Sequence, residues 1–77
     1  MTPAQCRAAR KLLDWTPADL ARAAGVSVIT VRNFEDGKVD GGARLALKLM
    51  ESALEGAGIR FPAGGEDVPV RLAPRTP

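Results

Sequence analysis

Residues 16 to 35, TPADLARAAGVSVITVRNFE, leave this chain few folds to choose from. They read as two short helices joined at Gly25. Thr16 stands before Pro17 and Ser27 before Val28, each placed to cap a helix that starts on the next residue. Proline costs nothing at the first helical position, where the N–H has no partner inside the helix. Gly25 lies where a positive φ lets the chain reverse sharply. Leu20, Ala21, Ala24, Val26, Val31 and Phe34 are spaced to close one small core between the two segments. The result is a helix-turn-helix unit.

The remaining chain supplies what this unit packs against. Thr2-Pro3 opens a first helix over about 3 to 13, with Cys6, Ala9 and Leu13 on one face and Arg7 and Lys11 toward water. Asp14 and Trp15 connect it to the second helix (about 17 to 24), and Trp15 plugs the core between the two. The third helix covers about 28 to 35, and DGKVDGG after it is a loop. A fourth helix runs from about Ala43 to Glu55. Ala43, Ala46, Leu47, Met50 and Leu54 form one apolar stripe; Leu45, Leu49 and Ala53 form a second. A surface helix needs only one stripe, so the second must pack on the C-terminal segment or on another copy.

After Gly58 the period becomes two. Ile59-Arg60-Phe61 and the run from Val68 to Leu72 alternate around PAGGED, predicting a hairpin with Ile59, Phe61, Val70 and Leu72 inward. Pro69 cannot donate to a ladder and points to an edge strand. The organisation expected is a helix-turn-helix domain over 1–58, a hairpin over 59–72 lying on the fourth helix or at a dimer interface, and a disordered tail over 73–77.

Composition narrows the chemistry. A chain of 77 residues makes one small domain with a limited core, which self-association would help. Eleven basic against nine acidic residues give a net charge of +2, which permits nucleic-acid binding without arguing strongly for it. There is no histidine, and Cys6 is the only cysteine, so no internal disulfide and no ordinary zinc site is expected. Cys6 reads as a small buried residue. With no metal cluster and no Gly-rich phosphate loop after a strand, neither an enzyme nor a cofactor is expected. No apolar run spans a bilayer and no signal-peptide pattern opens the chain, so a cytoplasmic protein without a membrane partner is the expectation.

From about Cys6 to Leu54 the chain resembles the Cro/repressor-type (XRE) helix-turn-helix family. The resemblance rests on Arg10, on the T-x-x-x-L-A-x-x-A-G-V-S stretch from Thr16 to Ser27, on T-V-x-x-F-E-x-G from Thr30 to Gly37, and on the apolar fourth helix. GIRF, a Gly-rich turn and VRL look like the C-terminal hairpin of certain short bacterial regulators of this kind. The resemblance implies a mainly α, four-helix, lambda-repressor-like fold with a small C-terminal β-hairpin. It also implies that Arg10 pairs with Glu35. Independently, both residues sit at the rim of the core, where a partly buried charge wants a partner.

With the third helix as recognition helix, the resemblance implies a sequence-specific regulator of transcription that binds double-stranded DNA as a dimer. Val31 and Phe34 point inward, which leaves Val28, Ile29, Arg32 and Asn33 outward. Arg32 suits guanine or a phosphate, Asn33 suits adenine, and Val28 and Ile29 suit thymine methyl groups. Ser27 and Thr30 can reach a phosphate or base edge, Thr16 a phosphate at a helix start, and Lys38 and Arg44 the DNA backbone. Ser27 and Thr16 equally fit as caps alone. A second reading stays open. Pro17 stands where relatives place a phosphate-clamping glutamine, Asp36 where they place asparagine, and Val28 and Ile29 expose an apolar patch. That pattern fits a protein-interaction module, such as an antiactivator that binds a transcription factor through this face or the hairpin edge.

Overall fold

The computed structural model describes residues 1–38, 44–61 and 70–72. Among these residues the fold is mainly α, with four helices followed by a two-stranded antiparallel hairpin: α1 (Pro3–Leu12), α2 (Pro17–Ala24), α3 (Val28–Glu35), α4 (Arg44–Gly56), β1 (Ile59–Arg60) and β2 (Arg71–Leu72). Residues 39–43, 62–69 and 73–77 lie outside the described residues, and with them most of the expected DGKVDGG loop, the expected helix start at Ala43, the PAGGED turn with Val68 and Pro69, and the expected disordered tail.

Each of the first three helices starts on a side-chain cap. Thr2 Oγ1 accepts from the Gln5 N–H at 3.1 Å while Gln5 Oε1 accepts from the Thr2 N–H at 2.9 Å, so two otherwise unpartnered donors are satisfied reciprocally. Thr16 and Asp19 repeat this arrangement at α2. Ser27 Oγ accepts from the Thr30 N–H at 3.1 Å at α3. Gly25 ends α2 at φ 73° and donates its N–H to the Ala21 carbonyl, which is how the chain turns between α2 and α3. Asp14, in the connector after α1, holds φ 58°, a left-handed conformation that aspartate tolerates better than most side chains.

The core joins all four helices and the hairpin. Cys6 and Ala9 come from α1, Leu20, Ala21 and Ala24 from α2, Val31 and Phe34 from α3, and Met50 and Leu54 from α4; Ile59 and Val70 close it. Leu13, Trp15 and Val26 pack against it half-buried. In the described part of the first α4 stripe, Leu47, Met50 and Leu54 therefore face inward. Of the second, Ala53 packs on the core while Leu45 and Leu49 stay exposed.

The hairpin lies against α1 and α4, and it departs from the expected pattern at one inward position. Ile59 and Val70 are buried and Phe61 half-buried, but Leu72 is exposed. Leu72 pairs with Ile59 and reaches past the core edge over Gly58, where a Cβ would meet its Cδ1 at 3.3 Å. Gly58 also holds φ 106°. Arg60 and Arg71 face each other across the ladder, ordinarily an unfavourable pair. Arg60 turns its guanidinium to the Glu55 carbonyl, where the end of α4 favours a cation. Among the described residues no helix is long and apolar enough to cross a membrane.

Candidate functional site

Glu35, the last residue of α3, is the anchor that holds this helix in place. Its side chain is 8% exposed. Arg10 of α1 grips both carboxylate oxygens, with Nε to Oε2 and Nη2 to Oε1 each at 2.7 Å. A planar fork on a carboxylate fixes direction as well as distance. The third edge of the same guanidinium donates from Nη1 to the Trp15 carbonyl at 3.0 Å. Arg10 thus ties α1, the connector and the end of α3 together. The expected Arg10–Glu35 pair is present and nearly sealed from water.

Two more α1 groups converge on Glu35, and neither was read from the sequence as doing so. Arg7 Nη2 donates to the Glu35 carbonyl oxygen at 2.6 Å, and Arg7 Nε lies 3.9 Å from Oε1. Arg7 is exposed, but it is not simply turned to water as expected. The Cys6 thiol donates to Oε2 at 3.3 Å. Cys6 and Arg7 lie one helical turn before Arg10 and so share its side of α1, a spacing visible in the sequence.

The electrostatics follow from this packing. Burial opposes the charged form of Glu35. Hydrogen bonds from Arg10 and Cys6, with the charges of Arg10 and Arg7, outweigh that and hold the carboxyl below its ordinary value. Arg10 is shifted up by its hydrogen bonds to Glu35, against the cost of burial. Burial, the hydrogen bond to Glu35 and the negative charge beside it push the Cys6 thiol up to about 12.

With its back secured, α3 presents its other side. Val31 and Phe34 are buried as expected, and Ile29, Arg32 and Asn33 are exposed. Val28 is a correction: it is half-buried and packs against the core. It stands three residues before Val31 and seven before Glu35, so it falls at the margin of the inward face rather than on the outer one. The outward apolar character of α3 rests on Ile29, which is 65% exposed.

The hydroxyl residues are engaged locally. Ser27 Oγ lies 2.8 Å from Thr30 Oγ1 besides capping α3. Thr16 Oγ1 accepts from the Asp19 N–H at 3.1 Å, and Asp19 Oδ2 accepts from the Thr16 N–H at 2.9 Å. The backbone and hydroxyl of Thr16 hold the Asp19 carboxyl below its ordinary value, with Arg22 assisting. A carboxylate therefore already occupies the start of α2, where a phosphate would be favoured. Lys38, whose N–H donates to the Asn33 carbonyl at 2.8 Å, and Arg44, which opens α4, are both exposed.

No group of three or more His, Cys, Asp or Glu side chains among the described residues is placed to hold a metal. The exposed set is thus Ile29, Arg32 and Asn33, flanked by the capping hydroxyls and two cations. Comparison with protein-family models and with curated proteins finds no match to this chain.

Proposed function

We propose that this protein is a sequence-specific DNA-binding regulator of transcription of the Cro/repressor type, dimeric, with α3 in the major groove. The observation that carries the reading is the bracing of α3. A short helix can read bases only if something else fixes its position. Here the core side chains Val31 and Phe34 and the Glu35 anchor do so. Arg32 and Asn33 are then the base-reading candidates, because an arginine fork matches guanine and an amide matches adenine. Ile29 supplies an apolar contact to a thymine methyl. Ser27, Thr30, Thr16, Lys38 and Arg44 serve the backbone, and Val28 at most its edge.

Fluorescence anisotropy on promoter and random duplexes at two salt concentrations tests this. Selective, salt-sensitive binding is expected, since phosphate contacts release counterions. Arg32→Ala should cost about 1–3 kcal/mol of binding and relax selectivity at one base pair, while Lys38→Ala weakens all duplexes alike and lowers the salt slope by about one. Neither should move the melting temperature. Absence of binding at micromolar protein would refute the proposal.

A second reading draws on two observations: the exposed Ile29, and the Asp19 carboxylate at the start of α2. Both suit a protein partner better than a phosphate backbone. In that reading the chain is an antiactivator, and Ile29→Asp abolishes capture of a transcription factor while Arg32→Ala does not.

A further inference from the structure

The outer side of α4 is not what a lone surface helix requires. Met50 and Leu54 already fix the helix on the core, with Leu47 and Ala53 beside them. Yet Leu45 is 69% and Leu49 40% exposed. Leu45, Leu49, Ser52 and Gly56 follow one another at spacings of four, three and four residues. That spacing keeps them in one seam along a helix. All are exposed. The seam is graded, with leucines in its first half and small residues in its second.

Among the described residues nothing crowds Gly56. It is helical, it is not among the positive-φ glycines, and a Cβ there would meet nothing within 4 Å. As the last residue of α4 it leaves that end of the seam without a side chain, open to a neighbouring surface.

A second column runs beside the seam at the same spacings: Arg44, Lys48, Glu51 and Glu55. Its cations sit toward the N-terminus of α4 and its anions toward the C-terminus. That is the reverse of what the helix dipole favours, and α4 has neither an acid in its first turn nor a base in its last. Arg44, Lys48 and Glu55 are exposed; Glu51 is half-buried, 3.7 Å from the Met1 amino group.

We propose that this face joins two copies of the chain, with their α4 helices antiparallel about a twofold axis that crosses between Leu49 and Ser52. Antiparallel pairing sets Leu45 of each copy over Gly56 of the other and Leu49 over Ser52, large against small throughout. The charged columns meet each other in such a pair, so Arg44 approaches Glu55 and Lys48 approaches Glu51. The helix dipoles are opposed, and the reversed charges of α4 become favourable across the interface. Parallel pairing would stack leucine on leucine and leave the small end unfilled. Thirteen residues of helix measure about 20 Å. One face of a helix that short covers less than the roughly 800 Å² a side of a standard interface, so dissociation on the order of micromolar is expected.

The pairing does not depend on what α3 binds, and it is tested without DNA by sedimentation equilibrium of the full chain across the micromolar range. A reversible monomer–dimer equilibrium is expected. Leu49→Glu, at an exposed position, should weaken it about tenfold or more with the circular dichroism spectrum unchanged. Arg44→Glu/Lys48→Glu makes the column all acidic and Glu51→Lys/Glu55→Lys makes it all basic. Neither should self-associate, and mixing them should restore the dimer. A chain that stays monomeric throughout, or a dimer indifferent to these substitutions, overturns the proposal. So does a disulfide-linked dimer of Leu45→Cys, because antiparallel pairing holds the two Leu45 positions about 16 Å apart, far beyond disulfide reach.

Discussion

Glu35 and Asp19 stand at opposite ends of the α2–α3 unit, and both carboxyls are held below their ordinary values. The resemblance stops there. Glu35 is buried, gripped by the fork of Arg10 and further bound by Cys6 and Arg7. Asp19 lies at the surface and closes a ring with one threonine, with Arg22 at 3.8 Å. At the surface, water competes with every partner and such pairs are worth little. Where water is excluded, losing one partner strands the other. The same direction of shift therefore marks a tertiary anchor at one end of the unit and a local helix signal at the other.

The largest effect should come from breaking the anchor. Glu35→Gln leaves the nearly buried Arg10 cation without its counter-charge and should cost about 3 kcal/mol. That is a large share of the roughly 4 to 12 kcal/mol available to a domain of this size, and urea denaturation would measure it. Replacing both ions, as in Arg10→Met/Glu35→Met, should recover much of the loss, because no unpaired charge remains. If the single variant is as stable as the parent, the contrast with Asp19 collapses.

A pH series sharpens the comparison from both sides. Glu35 has its folded value lowered, so its contribution is complete above the ordinary carboxylate value of 4.5 and is lost as pH falls through the folded value. Cys6 behaves in the opposite sense. Its folded value is raised from 9.0 to about 12, so its contribution is complete below pH 9.0 and is lost as pH climbs toward about 12. Melting temperature against pH should therefore decline at both ends. Cys6→Ala should flatten the alkaline decline that is due to the thiol and leave the acidic one.

The smallest effect belongs to the surface end. Thr16→Ala removes the hydroxyl that caps α2 and should cost about 1 kcal/mol, with an acid limb that still follows Glu35. A loss as large as that of Glu35→Gln would mean that the α2 start is coupled to the core after all.

These two ends also differ in how legible they were in the sequence. The α2 and α3 limits followed directly from Thr16-Pro17, Gly25 and Ser27, because caps and turns act through residues within four positions of each other. The Arg10–Glu35 pair was reached from a resemblance and from the rim position of both charges. Arg7 and Cys6 were missed because they lie 28 and 29 residues from Glu35, and only packing selects partners at that distance. Val28 and Leu72 failed for a related reason. Periodicity assigns a side chain to a face, but it does not say how far the neighbouring element extends beneath it. α4 now ends at Gly56 rather than Glu55, within the ordinary fraying of a helix end.

One consequence reaches into how the molecule can be followed. Cys6 is the chain's only sulfhydryl, wholly covered and bonded to the carboxylate that braces α3. An alkylating reagent can reach it only when the packing around it opens, locally or by unfolding. Its rate of modification is therefore a built-in stopwatch for the opening of this junction, with no introduced label to disturb what is being timed.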